Sequence, residues 1–181
     1  LNMQAPTTIR VNAALTDRES LFNRWQSLYP IALTKHSPLG IQFRKKINFF
    51  TLPEYRSGLF ELQDEGSQQI AFFVAAKPGQ QILDYCSGSG GKTLGFAPFM
   101  AGRGQIYLHD IRETALTQAK KRLKRAKIQH AQLLRVDAPV KKQLHGKMDT
   151  ILLDVPCSGS GTLRRNPDMK WNLAPTSLNN L

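Results

Sequence analysis

The chain has 181 residues, of which 41% are hydrophobic, and a formal net charge of +12. That hydrophobic content excludes a disordered chain, and the positive excess points to a polyanionic partner, nucleic acid first. No run reaches the about 18 apolar residues of a spanning helix, and "LNMQAPTTIRVN" (1–12) lacks the basic-then-apolar order of a signal peptide, so no membrane association is expected.

The two cysteines, Cys86 and Cys157, are far apart in glycine- and serine-rich loops. That pattern fits neither a disulfide framework nor a zinc site, and a reduced, cytoplasmic setting without a bound metal is expected. The first residue is leucine, so a fragment of a longer, monomeric protein is the expectation.

Residues 1–77 hold 9 Lys/Arg and 6 Asp/Glu, against 16 and 7 in residues 78–181. The first part mixes strand-like pieces, "TTIRVN" (7–12) and "GIQFRKKINFF" (40–50), with a helical piece, "DRESLFNRWQSLY" (17–29). Thr16 is the expected N-cap, with Glu19 three residues on, and Pro30 ends the helix. A small α+β domain over 1–58 is predicted. "ELQDEGSQQIAFFVAA" (61–76) reads as a helical connector, and Pro78-Gly79 breaks the chain.

After Pro78 strands and helices alternate. "QQILDY" is a strand and "GKTLGFAPFMA" a helix marred by Gly95 and Pro98. "GQIYLHD" is the next strand, followed by the helix "RETALTQAKKRLKRAK" (112–127). "AQLLRVD" and "MDTILLD" are further strands. The alternation predicts a doubly wound parallel sheet over 59–181. Asp84, Asp110, Asp137 and Asp154 stand at or beside the four strand ends, the margin where open parallel sheets bind ligands. In the helix at 112–127, Leu116, Ala119, Leu123 and Ala126 recur at spacings of 3, 4 and 3, an inward stripe. Lys120, Lys121, Lys124 and Lys127 then face solvent.

The loop "CSGSGGKT" (86–93) does not fit a triphosphate cradle, because Cys86 stands where the P-loop pattern requires glycine. Nor does it fit the dinucleotide fingerprint, whose sixth place is Thr93 instead of glycine. S-adenosylmethionine fits better. Gly88, Gly90 and Gly91 allow the backbone to approach its amino-acid tail. Asp110 is positioned for ribose hydroxyls and Asp137 for the adenine amino group.

"LLDVPCSGSGTLRRNPDMKW" (152–171) is the most specific stretch. Pro156 stiffens the turn, small residues leave room for a planar ring, and the Cys157 thiolate has the chemistry to act on a pyrimidine. Arg164, Arg165 and Lys170 offer charge to a nucleic-acid backbone. Trp171 reads as a core anchor ahead of a stacking platform.

These pieces resemble the RNA cytosine-C5 methyltransferases of the RsmB / NOL1-NOP2-Sun (Fmu) family. The resemblance is carried by "RVN" (10–12), "FELQDEGSQ" (60–68), "LDYCSGSGGKT" (83–93), "HDI" (109–111), "VDAP" (136–139) and residues 152–171, in the family's order. It implies a Rossmann-like class I methyltransferase sheet preceded by a small RNA-binding-like domain. It implies S-adenosylmethionine as donor and a cytosine in structured RNA as acceptor, ribosomal RNA before transfer RNA. By position, Cys86, Ser87, Gly88, Ser89, Gly90, Gly91 and Lys92 form the donor loop, with Asp110, Asp137 and Asp154 as further contacts.

The family loop reads Cys-Ala-x-Pro-Gly-Gly-Lys-Thr; here Ser87, Gly88 and Ser89 stand in the Ala-x-Pro portion. In the mechanism that the family implies, a thiolate adds to C6 of the cytosine and C5 takes the methyl group. Cys157 would be the cysteine that assists product release. The attacking cysteine lies in a later Thr-Cys-Ser segment, beyond Leu181, so the sheet is expected to be incomplete at its C-terminal end and the fragment inactive alone. Two rivals are a non-catalytic RNA-binding or assembly factor with this fold, and a DNA cytosine methyltransferase. The "TLRRNPDMKW" continuation argues against the second.

Overall fold

Alternation in the first strand puts Ile9 and Val11 on one face and Thr8 and Arg10 on the other, yet all four are buried. The strand is therefore covered on both sides. The computed structural model describes residues 5–137, 139–163, 165–168 and 171. β1 (Thr7–Val11), β2 (Ile31–Leu33), β3 (Gly40–Phe43) and β4 (Phe60–Leu62) form an antiparallel sheet in the order β2-β3-β1-β4. Helix α1 (Arg18–Trp25) packs on the Ile9 face, and α2 (Pro53–Arg56) lies between β3 and β4 in the chain. The Trp25 ring meets Phe43 and Phe60 edge-on, at 5.7 and 5.4 Å between centroids. Fully burying rings and aliphatic chains of this size contributes about 2 kcal/mol each.

Helix α3 (Glu65–Phe73) leads into the second sheet. Gln68 on it is fully buried and donates to the carbonyls of Ile9 (3.2 Å) and Gln63 (2.9 Å), tying α3 to β1. β5 (Gln81–Asp84) is followed by α4 (Thr93–Phe96) and a 3-10 turn at Ala97–Met100, and β6 (Gln105–Leu108) by α5 (Glu113–Arg125). β7 (Ala131–Leu133), α6 (Val140–Leu144) and β8 (Thr150–Leu152) follow. All strand pairs are parallel, in the order β7-β6-β5-β8. Ile82, Ile106 and Leu108 pack on α4 and on Leu116, Ala119 and Leu123 of α5. Leu83 and Tyr107 point to the opposite face, against Leu134, Val140 and Leu144.

The α/β class and the parallel sheet match the sequence reading. Several boundaries do not. Asp17, not Thr16, caps α1, accepting from the Ser20 amide at 2.8 Å. An aspartate one residue later reaches the same orphan amides. The stretch 61–76 is not one helix: its first two residues lie in β4, which pairs with β1 through Ile9↔Leu62. The divide expected at 58/59 thus falls ahead of a strand of the small sheet. The helix expected over 91–101 is only α4 plus the 3-10 turn, because Pro98 removes a backbone donor. Gly95 is needed where it stands, since a Cβ there would sit 2.6 Å from the Ala71 methyl and 2.9 Å from the Arg10 guanidinium. β2 and α6 were not foreseen; three and five residues are too short for a periodic signal.

Candidate functional site

Parallel pairing puts the C-terminal ends of all four strands on one margin, so Asp84, Asp110, Asp137 and Asp154 share an edge of the sheet. Strand order reverses between β5 and β8, a switch point where the loops diverge and leave a crevice. A cleft of about 270 Å³ opens there, lined by Gln63, Asp64, Asp84, Cys86, Ser87, Gly91, Lys92, Arg122 and Asp154.

Asp84 closes β5 and is 1% exposed. One carboxylate oxygen accepts from Thr93 Oγ1 at 2.6 Å; the other is buried with no partner among the described residues. Burial pushes its pKa up to about 6, with Asp154 adding to the rise and the Thr93 hydrogen bond and Lys92 opposing it. The Ser87 hydroxyl is likewise buried without a partner. Lys92 Nζ is ion-paired to Asp154, joining the loop after β5 to the loop after β8.

The loop is shaped by glycines. Gly88 and Gly90 have φ of +54° and +75°, values that side chains rarely adopt. The Gly88 amide donates to Asp110 Oδ2 at 2.8 Å. Asp110 also accepts from the Arg112 amide (2.9 Å) and guanidinium (3.0 Å). The Arg112 hydrogen bond, with the Gly88 amide adding to it, holds the Asp110 carboxyl below its usual range.

The sequence-predicted residues are not all together. Asp84, Cys86, Ser87, Gly91, Lys92 and Asp154 line one cleft, and Asp110 adjoins it through Gly88. Asp137 is exposed, paired to Arg135 at 2.9 Å, and lines a neighbouring cleft of about 550 Å³ with Leu116, Thr117, Lys120 and Leu133. Cys86 is half-buried, and burial, with Asp110 and Asp84 nearby, pushes its thiol up. Cys157 is exposed on the loop after β8, its sulfur 3.4 Å from the Gly159 amide.

Two expectations for the later segment change, and one falls outside the described residues. Trp171, expected in the core, is 78% exposed. Arg165 is engaged with the small domain, paired to Asp64 and bonded to the Pro6 carbonyl at 3.0 Å. Arg164 and Lys170 lie outside the described residues.

Sequence reasoning missed Arg10, Gln63 and Arg122 as neighbours of the loop. Arg10 Nη1 and Gln63 Nε2 donate to the Gly91 carbonyl at 2.9 and 3.2 Å. Arg122 Nη1 donates to the Ser89 carbonyl (3.0 Å) and hydroxyl (2.7 Å). The available signal was Arg10 itself, a charge flanked by apolar strand residues, which marks a second covered face. Burial draws its pKa down to about 10, against the pull of Glu61, so it stays protonated at neutral pH.

An open parallel sheet with a glycine loop after its first strand and acids along one margin defines a class I methyltransferase fold. The crystal structure of PH0851 superposes with a TM-score of 0.92 at 26% identity, covering 99% of this chain and 41% of that one. The crystal structure of NSun6 from Pyrococcus horikoshii with SFG has a TM-score of 0.76 at 16% identity, over 92% of this chain and 71% of that one, a likeness of fold. The model of the 16S rRNA methyltransferase RsmB/F family matches residues 71–181, and the chain belongs to that family. It is 34% identical over 173 residues to ribosomal RNA small subunit methyltransferase B of Proteus mirabilis, covering 94% of this chain and 40% of the relative. It is 31% identical to the 25S rRNA (cytosine-C(5))-methyltransferase nop2 of Schizosaccharomyces pombe, covering 94% and 29%. The chain thus spans about 40% of the bacterial relative's length.

Proposed function

We propose that the protein to which this chain belongs transfers a methyl group from S-adenosylmethionine to C5 of a cytosine in ribosomal RNA. The observation that carries the reading is the cleft at the β5/β8 switch, where a buried Asp84 oxygen and the Ser87 hydroxyl lack partners among the described residues beside Lys92 and the glycine loop. Two orphaned acceptors next to approachable backbone suit the α-amino group of an amino-acid tail. A basic chain and the two rRNA-modifying relatives support RNA as the acceptor.

In this reading Asp84 and Ser87 hold the donor's ammonium, Lys92 orients its carboxylate, and Asp110 accepts from ribose hydroxyls. When bound, S-adenosylmethionine supplies an electrophilic methyl group on its sulfonium. Asp137 bounds the adenine end and Asp154 faces the extruded base. Extruding that base costs a few kcal/mol, which RNA contacts must offset. Cys86 is a poor attacker because burial and its acidic neighbours disfavour thiolate. Cys157 is assigned to release of the methylated product, and the attacking thiolate is assigned to a residue outside these 181.

Calorimetry with S-adenosylmethionine on the whole protein is expected to give saturable binding, and RNA containing 5-azacytosine is expected to form a covalent adduct that DNA does not. The 181-residue chain alone is expected to give no methylated RNA. RNA binding without donor binding would replace this reading with a non-catalytic assembly factor. A DNA adduct through Cys157 would replace it with a DNA methyltransferase.

A further inference from the structure

The stretch from Cys86 to Lys92 holds three glycines and no proline. Left to itself such a loop samples many backbone conformations. Here it is braced from outside. Arg122 on α5 donates to both the carbonyl and the hydroxyl of Ser89, at 3.0 and 2.7 Å. The same guanidinium donates to Glu61 of β4, from Nη2 at 3.0 Å and Nε at 3.2 Å. The Glu61 side chain is 4% exposed and also accepts from Arg125 at 2.5 Å. Arg125 in turn lies 4.0 Å over the Tyr55 ring. The path from the loop to the small domain is therefore continuous: Ser89, Arg122, Glu61, Arg125, Tyr55.

We propose that Arg122 is a positioning residue that ties the loop, through Ser89, to Glu61 of the small antiparallel domain. The small domain thereby sets the order of the loop. The serine hydroxyl does by hydrogen bonding what a ring-constrained residue at 89 would do covalently. The arrangement suits the job. A guanidinium presents several donors in a fixed plane, so one side chain can hold two partners at once. Glu61 is buried and accepts from Arg122 through one oxygen and from Arg125 through the other, which helps to hold Arg122 in place. The part of the proposal that concerns donor affinity rests on the donor reading above.

The test uses the whole protein without ligand and follows hydrogen exchange of the Gly90 and Gly91 amides, with the Ile106 amide of β6 as internal reference. Glu61→Gln touches no loop atom. It is expected to speed loop exchange about tenfold, the size of one charge-assisted hydrogen bond, with Ile106 unchanged. Ser89→Ala is expected to give a smaller rise. Ser89 is not among the positive-φ residues, a conformation that would bar a proline ring, and Ser89→Pro in the Glu61→Gln background is expected to restore slow exchange. S-adenosylmethionine affinity by calorimetry should rank the variants in the same order. Unchanged loop exchange in Glu61→Gln, a rise shared equally by Ile106, or no rescue by proline overturns the proposal. Responsive loop exchange in a protein that binds no donor would keep the strut and remove the donor reading.

Discussion

The Asp84 carboxylate accepts from Thr93 Oγ1 at 2.6 Å through one oxygen and leaves the other buried and unpaired among the described residues. A half-satisfied buried acid is costly when charged, and burial has lifted its pKa to about 6 from 3.8. Well below pH 3.8 folded and unfolded chains both hold the proton. As pH rises from 4 through 6 the unfolded chain ionises first, so stability falls, by roughly 3 kcal/mol once both are ionised. Asp84→Asn is therefore expected to be more stable than wild type at pH 8 and nearly equal at about pH 3, in urea unfolding at each pH. The same substitution is expected to weaken donor binding.

Asp110 has the opposite sign. Its hydrogen bonds to Arg112 and Gly88 hold its pKa below the ordinary value. Its contribution is present above the usual carboxylate range and lost as pH falls through the lowered folded value. Asp110→Asn is expected to raise the donor dissociation constant about tenfold or more by calorimetry, with adenine alone binding unchanged.

Asn12 spans the two sheets' domains. Its Nδ2 donates to the carbonyls of Gly58 (3.0 Å) and Ala126 (3.1 Å), and the residue is 4% exposed. Asn12→Ala leaves both carbonyls without that donor and is expected to cost about 2–4 kcal/mol in urea unfolding. Asn12→Asp should cost at least as much, since it removes the donor and buries a charge.

The outer face of α5 carries Lys120, Lys121 and Lys124, with Lys127 just past its end, and all four are exposed. If RNA phosphates lie along it, Lys121→Glu with Lys124→Glu will lower RNA affinity and flatten its salt dependence by roughly 0.7–0.9 per lost contact. Donor affinity should not change. An unaltered salt slope would assign these lysines to solvent alone.

The sequence exposed the parallel sheet through the alternation of apolar strand-like runs with helical segments, and α5 is the clearest case: Leu116, Ala119 and Leu123 are buried as their spacing requires. The acids at the strand ends were equally legible, since strand ends fix their place. The short pieces were not. β2 has three residues and β4 three, and their strand character comes from partners β3 and β1, not from their own pattern. The interdomain polar cluster was hidden for a related reason. Arg10, Glu61 and Arg122 are 51 and 61 positions apart in sequence, and only the fold brings them to one loop. Trp171 misled because size alone suggests a core residue, and size does not say whether a side chain ends up covered.

The crevice beside β5 owes its existence to connectivity. The chain lays β6 and β7 on one flank and then returns to place β8 on the other, so two loops part company whatever residues they contain. Drift in the 86–92 segment can therefore alter grip and selectivity without abolishing the binding hollow itself. A lineage carrying this strand arrangement is free to experiment with its loop chemistry while keeping a place for a small molecule to sit.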